Sequence, residues 1–221
     1  MDIIAIEVAA EYFSPFIQSN TEIRDEDLHI IDNCRNGDIE SFQVLVERYQ
    51  KRMLNISYRV LDDYEDACDI VQESFISAYR ALPKFRGDST FSAWLAAIVM
   101  NHSRNRLKQK KTRACRECVF LDTPKDPENE SVLFELPSEN ESAHERLEKM
   151  EFERKVQDCI NTLSDDYKEV VVLRDIQGFS YEEISTVLKL SDGTVKSRLF
   201  RARDSLKDCL SDVIGYIEGN A

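Results

Sequence analysis

The sequence predicts an all-α protein made of two small helical domains that are joined by a flexible acidic linker. Apolar residues recur at helical spacing in two groups, one before and one after a polar stretch near the middle of the chain. No alternation of apolar and polar residues, as in a half-buried strand, is visible in the first group. At 221 residues the chain is long enough for two domains of small size.

The first helical domain is predicted over residues 25–112, after an N-terminal extension (residues 1–24) that shows no sustained period. Its apolar stripes and breaking residues predict four helices, over about residues 25–36, 38–61, 64–82 and 90–112. Gly37 ends the first of these helices, and Pro83 lies just past the third. A polar loop with Gly87 at its centre precedes the fourth helix.

The linker is predicted over residues 113–144, where three prolines stand among acidic and polar residues that cannot bury enough apolar surface to fold alone. Helical spacing returns over residues 145–215. Ser180 and Glu183 match a capping box at a helix start. A short helix, a turn of a few residues and a longer helix from Asp192 then predict a helix-turn-helix.

The charge is distributed unevenly along the chain. A net charge of −13 argues against nucleic acid, because a DNA-binding protein needs cations that replace the counterions of the phosphates. However, seven basic residues and no acid lie within residues 104–116, the first basic island. Residues 196–207, the second basic island, carry five basic residues against Asp204 alone. Two basic islands in an acidic chain predict local DNA contacts.

The second helix of a helix-turn-helix enters the major groove with one face. Residues at spacings of three and four form a polar face on the helix from Asp192: Thr194, Ser197, Arg198 and Arg201. The opposite, core-facing stripe consists of Val195, Leu199, Ala202 and Leu206. A solvated basic helix in an ordinary bundle is the alternative. We favour DNA binding, because the capping box, the turn length and the charges agree.

The six cysteines are scattered. Four of them fall in helical patterns, where a buried thiol packs as a small hydrophobe: Cys34, Cys68, Cys159 and Cys209. Cys115 and Cys118 stand in the linker and are interpreted as spare surface thiols, with a redox or zinc role as the alternative. Zinc needs about four ligands, and no second cysteine pair or well-spaced histidine stands nearby. We therefore expect no metal and no cofactor.

The chain is expected to be a soluble cytoplasmic protein without membrane insertion, because it has no long apolar run and no basic leader before an apolar core. Three aromatic residues lie near the first basic island: Phe85, Phe91 and Trp94. One interpretation is that their rings stack on or flank unpaired nucleic-acid bases, and the alternative is that they pack in the hydrophobic core. For Trp94 we favour the core. An enzyme is disfavoured, because the sequence shows no paired metal spacing, phosphate loop or nucleophile elbow.

Two long segments resemble one family. Residues 66–108 closely resemble region 2 of sigma-70 factors, and residues 173–206 resemble their region 4. The FRGD loop, the WL pair and the GTVKSRLFRAR run, with no recognisable domain between the two regions, resemble the extracytoplasmic-function subfamily. The resemblance implies a factor that binds core RNA polymerase, recognises the minus-35 and minus-10 promoter elements and aids strand opening. A stand-alone helix-turn-helix activator or repressor is the alternative.

The resemblance also implies partners and site residues. The partners are promoter DNA, an anti-sigma factor and core polymerase, through the clamp helices of its largest subunit and the flap of its second-largest subunit. The expected core-binding residues are Asp66, Asp69, Gln72 and Glu73. The expected minus-10 contacts are Arg86, Gly87, Asp88, Ser89, Trp94, Asn101, Arg104 and Arg106. The expected minus-35 contacts are Thr194, Lys196, Ser197, Arg198, Phe200, Arg201 and Arg203.

Overall fold

A computed structural model describes residues 20–117 and 143–220, and all regular structure within these two ranges is helical. The predicted all-α class is therefore confirmed. The helices are α1 (Asn20–Arg35), α2 (Ile39–Leu61), α3 (Tyr64–Ala81), α4 (Phe91–Glu117), α5 (Ala143–Asn161), α6 (Asp165–Val171), α7 (Tyr181–Leu188) and α8 (Asp192–Asn220). A 3-10 turn, Leu82–Lys84, follows α3, and a π-helical turn, Val172–Ile176, continues α6.

Helices α1 to α4 form an N-terminal bundle in which α2 packs against the other three. Two aspartates begin helices of the bundle by accepting hydrogen bonds from free backbone N–H groups: Asp38 caps α2 and Asp63 caps α3. The apolar stripes predicted for α2 and α3 are buried, with Met53, Ile56 and Ala78 among the fully enclosed residues. Burial of these stripes against each other is the main stabilising contribution to the bundle.

Helix α4 joins the bundle through its first half only. Phe91, Leu95 and Met100 are buried, whereas most side chains after Ser103 are exposed or partly exposed. The helix continues to Glu117, so its last turn enters the segment that was predicted as linker. The rest of that segment up to residue 142 lies outside the described residues, as does most of the N-terminal extension.

Helices α5 to α8 form the C-terminal domain, and α7 and α8 are its helix-turn-helix. Both bonds of the predicted capping box are present, from the Glu183 N–H to the Ser180 hydroxyl and from the Ser180 N–H to the Glu183 carboxylate. The turn passes through Lys189 in the left-handed region, at φ 57°. On α8 the predicted core stripe of Val195, Leu199, Ala202 and Leu206 is fully buried, which confirms the orientation of this helix.

The cysteines correct one prediction. Cys34 is a buried free thiol and Cys68 a partly buried one, as predicted. Cys159 on α5 and Cys209 on α8 were also predicted as free packing thiols, but they form a disulfide with their Cα atoms 5.8 Å apart. The prediction was wrong because α5 and α8 pack side by side, which brings together residues fifty positions apart in the sequence.

The two domains pack against each other. Helix α4 contacts α7, and α2 contacts α6 and the π-helical turn. Five polar residues at or near this contact are buried, each at most 5% exposed: Asn55, Arg59, Gln157, Glu169 and Gln177. None of the described helices combines the length and apolar character needed to cross a lipid bilayer.

Candidate nucleic-acid interface

The outer face of α8 lies opposite its buried stripe. Four of the seven residues expected at the minus-35 element are exposed there: Lys196, Ser197, Phe200 and Arg201. Phe200 is 74% exposed, which is unusual for an aromatic side chain in a folded domain. The face therefore offers two cations, a hydroxyl and an apolar ring, the groups that contact phosphates, base edges and thymine methyls.

The other three minus-35 candidates have partners within the domain. A side-chain nitrogen of Arg198 lies 2.8 Å from a carboxylate oxygen of Asp166. The guanidinium of Arg203 donates to both carboxylate oxygens of Asp175, at 2.5 and 3.2 Å, and this hydrogen bonding raises the pKa of Arg203. The Thr194 hydroxyl lies 2.8 Å from that of Ser191 at the start of the helix. Arg198 and Arg203 help to hold α8 on the domain, and Thr194 takes part in the local bonds at the start of the helix.

The expected minus-10 loop, residues 86–89, lies between the 3-10 turn and α4. Arg86 and Asp88 are exposed, while Ser89 is partly buried. Gly87 has a φ of +77°, where a side chain is strained, and an added Cβ would lie 3.4 Å from a Leu28 methyl. The glycine thus lets the loop turn close to α1.

Three aromatic rings that flank this loop in the sequence pack together beneath its backbone, in the core of the bundle. Phe85 is 5% exposed and Phe91 is 2% exposed, so neither ring is available to stack on a base. Trp94 is partly buried and packs on both, with ring centroids 5.0 Å from Phe85 and 5.7 Å from Phe91. The helical spacing of Trp94 predicted this core contact. A guanidinium nitrogen of Arg35 also donates to the carbonyl oxygen of Phe85 and ties the loop to α1.

Further along α4, Asn101 is exposed, but most of the first basic island is paired with carboxylates. Arg104 binds Glu169 of α6 with two parallel bonds of 2.5 Å, and these bonds raise the pKa of Arg104. Arg106 and Lys110 both bind Asp66, and the remaining pairs join Lys110 to Asp63 at 2.8 Å and Lys111 to Asp165 at 2.5 Å. The sequence alone did not reveal these partners, because each comes from another helix.

The expected core-binding residues of α3 fall into two groups. Gln72 is exposed, and the side chains of Asp69 and Glu73 are 65% and 55% exposed. They form an acidic face that a partner can reach. The side chain of Asp66 is only 14% exposed and faces Arg106 and Lys110. The structure thus brings three of the four residues to one open surface and turns the fourth toward α4.

Between the domains lies a polar cluster that the sequence did not indicate. A guanidinium nitrogen of Arg52 donates to the Gln177 carbonyl at 2.6 Å, and its guanidinium stacks 4.3 Å from the Phe179 ring centroid. Burial lowers the pKa of Arg52. The Gln177 amide donates to Asn55 at 2.8 Å. In the sequence these polar residues look like a solvated helix face, because nothing local shows that another domain covers them.

Further hydrogen bonds between the two domains lie outside this cluster, and one of them is near the expected minus-10 loop. Arg59 donates to Gln157 at 2.9 Å, and Asn161 donates to Asp62 at 2.8 Å. At the start of α4, the Thr90 hydroxyl donates to Glu183 at 2.9 Å. Glu183, which forms the capping box with Ser180, therefore also binds the residue that follows the minus-10 loop.

No group of three or more His, Cys, Asp or Glu residues that could hold a metal ion occurs among the described side chains. Cys118 and the side chain of Cys115 lie outside them.

Comparison with known proteins agrees with this architecture. The family model for sigma-70 region 2 matches residues 45–113, and the model for sigma-70 region 4 matches residues 153–206. The chain is 36% identical over 182 residues to the ECF RNA polymerase sigma-E factor of Haemophilus influenzae, covering 82% of this chain and 94% of that protein. It is 34% identical over 191 residues to the RNA polymerase sigma-H factor of Pseudomonas aeruginosa, covering 86% and 97%.

Two solved structures share the fold. CnrH, solved in complex with the cytosolic domain of CnrY, has a TM-score of 0.58 and 26% identity, covering 83% of this chain and 96% of that one. The sigma factor RpoE from Bartonella quintana, solved with the anti-sigma factor NepR, has a TM-score of 0.59 and 22% identity, covering 78% and 98%. With both sigma-70 models matched in order and relatives at 34% to 36% identity across most of its length, the chain belongs to the extracytoplasmic-function subfamily of sigma-70 factors, which direct RNA polymerase to promoters.

Proposed function

We propose that this sigma factor reads the minus-35 element with the outer face of α8, reads the minus-10 element with the 86–89 loop and α4, and docks on core polymerase with α3. The observation that carries the proposal is the helix-turn-helix itself. Its second helix buries one stripe completely and presents a polar, cationic face on the other side. Such a helix is arranged for the major groove.

Within the minus-35 surface we assign base reading to the exposed centre of the face. Arg201 lies one turn beyond Ser197 and two beyond Thr194, on the side away from Leu199. A guanidinium there can make the bidentate contact to guanine that is the commonest specific contact in the major groove. Lys196 and Phe200 flank it, as a phosphate contact and as an apolar contact to a thymine methyl.

For the minus-10 element we assign capture of an unstacked base to the loop of residues 86–89. Its exposed Arg86 and Asp88 can bond the pairing edge of a base, which a base inside the duplex does not expose. Asn101 is exposed further along α4 and can contact the melted strand. Arg104 and Arg106 can contact the phosphates of the melted DNA strand only after their ion pairs with carboxylates of the protein are broken.

For core polymerase we assign the open acidic face of Asp69, Gln72 and Glu73 to the clamp helices of the largest subunit. Its exposure supports the assignment, and Asp66 is assigned instead to positioning α4 through Arg106 and Lys110. The flap of the second-largest subunit is the partner proposed for the C-terminal domain.

The closed packing of the two domains accords with a factor that is inactive on its own. Glu169 occupies Arg104, and Glu183 binds Thr90, so the C-terminal domain covers part of the proposed minus-10 surface. Binding of core polymerase would have to separate these pairs. We further propose that an anti-sigma factor regulates the protein, supported by the likeness to CnrH, which was solved with a partner domain.

The test is run-off transcription with core polymerase on genomic fragments. We expect discrete transcripts that depend on both the chain and core polymerase, and no tight binding of the same fragments by the chain alone. A stand-alone activator or repressor would instead bind its operators without polymerase. Tight operator binding by the isolated chain, with no transcripts from core polymerase, would therefore overturn the proposal.

A further inference from the structure

The disulfide between Cys159 and Cys209 crosses the C-terminal domain at a place that the proposed function does not use. Cys159 lies on α5 and is 1% exposed, while Cys209 lies on α8 and is partly exposed. Their Cα atoms are 5.8 Å apart, within the range that a disulfide joins without moving the backbone. Cys34 and Cys68, the free cysteines among the described side chains, belong to the other domain.

The segment between the two cysteines contains the turn of the helix-turn-helix and all seven residues proposed to contact the minus-35 element. The fifty-residue loop that the bond closes runs through α6, the π-helical turn, α7 and the first half of α8. Cys209 stands eight positions after Arg201 on the same helix. On α5, Gln157 and Asn161 stand two positions to either side of Cys159. Gln157 accepts from Arg59 of α2, and Asn161 donates to Asp62, the residue after α2. The bond therefore ties α8 to a helix that carries some of the interdomain contacts.

The C-terminal domain is small, and domains of this size gain much from a covalent link. Its described part covers residues 143–220. In the chain-entropy account, a bond that closes fifty residues raises the folding equilibrium constant by about a thousandfold. Because the apolar core around the pair does not depend on the bond, we expect the reduced domain to fold as well, with a much smaller margin of stability.

We propose that Cys159 and Cys209 are a reversible redox site at which a hydroperoxide forms the disulfide and thereby stabilises the helix-turn-helix. Cys209 is the residue that the oxidant reaches, since it is partly exposed and Cys159 is buried. The Cys209 thiol loses its proton, and the thiolate sulfur attacks one oxygen of the hydroperoxide. The O–O bond breaks, the sulfur becomes a sulfenic acid, and the leaving oxygen takes up the proton as an alcohol, or as water when the oxidant is hydrogen peroxide. The Cys159 thiol then attacks the Cys209 sulfur, forming the disulfide and releasing water. Two thiolates of a low-molecular-weight thiol restore the pair and leave as their own disulfide.

The consequence concerns promoter recognition and rests on the proposed function. The oxidised chain keeps α8 folded, and with it minus-35 recognition, at temperatures at which the reduced chain loses both. We expect reduction to leave the minus-35 face itself unchanged, because Phe200 and Arg201 are exposed and lie more than two turns before Cys209 on α8. At low temperature the two forms therefore bind promoters equally in holoenzyme.

The first experiment uses the full-length wild-type chain without substitutions, oxidised with hydrogen peroxide or reduced with dithiothreitol. Free thiols are alkylated, and peptides are mapped without reduction. We expect a peptide pair joined through Cys159 and Cys209, and a melting temperature of the C-terminal domain at least about 10 °C higher in the oxidised form. Absence of this peptide pair after oxidation, or equal melting of the two forms, would overturn the proposal.

Two variants locate the effect. Cys34→Ser with Cys68→Ser keeps the pair and should retain the full difference in melting between the oxidised and reduced forms. Cys159→Ala with Cys209→Ala should melt at one temperature in both conditions, near that of the reduced wild type. A difference that persists in the second variant assigns the redox response to other cysteines, including Cys115 and Cys118, and contradicts the proposal.

Run-off transcription after heating both forms to a temperature between their melting points tests the consequence. We expect at least about tenfold more transcript from the oxidised form, and equal transcript before heating. Equal loss in both forms would overturn the functional part of the proposal. If neither form initiates transcription even before heating, the proposed function fails, while the difference in melting still decides the redox site on its own.

Discussion

The two basic islands carry similar runs of cations, but the structure uses them differently. On α4, Arg104, Arg106, Lys110 and Lys111 each bind a carboxylate from another helix. On α8, Arg198 and Arg203 also bind carboxylates, but Lys196 and Arg201 stay exposed. The first island is chiefly a structural seam that joins α4 to α3 and α6, whereas the second retains an open cationic face.

The difference teaches that a run of basic residues in a sequence shows where positive charge lies. It does not show whether that charge is free to contact DNA or is paired with carboxylates of the protein. A paired guanidinium contributes little field to a distant phosphate, because its carboxylate cancels most of it. Carboxylates neutralise much of the first island, so the exposed cations Lys196 and Arg201 of the second island retain more of their positive potential. The exposed face of α8 is therefore the stronger electrostatic attraction for DNA in the closed form.

The largest expected effect comes from breaking the seam at Arg104. In Arg104→Ala the carboxylate of Glu169, whose side chain is 4% exposed, loses its bidentate partner. We expect the free energy of unfolding to fall by up to about 3 kcal/mol, because an unpaired buried charge is costly. Lys108→Ala is the matched control on the exposed side of α4 and should change it by less than about 0.5 kcal/mol. Urea unfolding followed by circular dichroism measures both, and equal losses would contradict the seam.

The next effect concerns the open face of α8. Arg201→Ala should weaken holoenzyme binding by roughly 1 to 3 kcal/mol and relax the preference at one base pair of the minus-35 element. Arg203→Ala, on the same helix but paired with Asp175, should weaken all sequences alike. The measurement is binding to a set of minus-35 variants at several salt concentrations. A changed base preference in Arg203→Ala alone would show that the orientation assigned to α8 is wrong.

A smaller effect separates the two kinds of carboxylate on α3. Reversing charge in Asp69→Lys with Glu73→Lys should lower the affinity for core polymerase by about tenfold and leave the circular dichroism spectrum unchanged. Asp66→Asn should do the opposite, lowering stability through Arg106 and Lys110 while core affinity is retained. Fluorescence titration of labelled chain with core polymerase measures the affinity. Unchanged affinity in the double variant would remove the docking assignment.

The smallest effect is the pH dependence of the seam at Asp63. Burial alone raises the pKa of this carboxyl, but hydrogen bonds from Lys110 and the Asp66 N–H outweigh burial and lower it. A carboxyl with a lowered folded-state pKa stabilises the protein above its unfolded pKa of about 3.9, and this contribution is lost as the pH falls through the folded value. Asp63→Asn keeps the helix cap and removes the charge.

We expect Asp63→Asn to be less stable than the wild type at pH 7, by less than about 1 kcal/mol because both partners are partly exposed. The difference should shrink as the pH falls below about 4, where the carboxyl becomes protonated in the unfolded chain, and should vanish below the lower folded-state pKa. Urea unfolding at pH 7 and pH 3 measures it. A difference of the same size at both values would mean that the ion pair with Lys110 contributes nothing.

Much of this protein is determined by local patterns in its sequence. The helices and their order follow from apolar spacing, because burying one stripe of each helix is the main source of stability. The helix-turn-helix follows from the Ser180 and Glu183 capping box, and the buried stripe of α8 followed from Val195 and Leu199. These features depend on residues within a few helical turns of one another, so they can be predicted from the sequence without knowledge of the tertiary structure.

Only the tertiary structure decided which of the candidate residues are free. Arg104 and Asp66 were predicted to contact partners of the protein, but they bind Glu169 and Arg106 within it. Cys159 and Cys209 were predicted as separate thiols and are joined. In each case the two groups come from different helices and lie 40 or more positions apart in the chain. Their pairing depends on how the helices pack, which the spacing of residues along one helix does not contain.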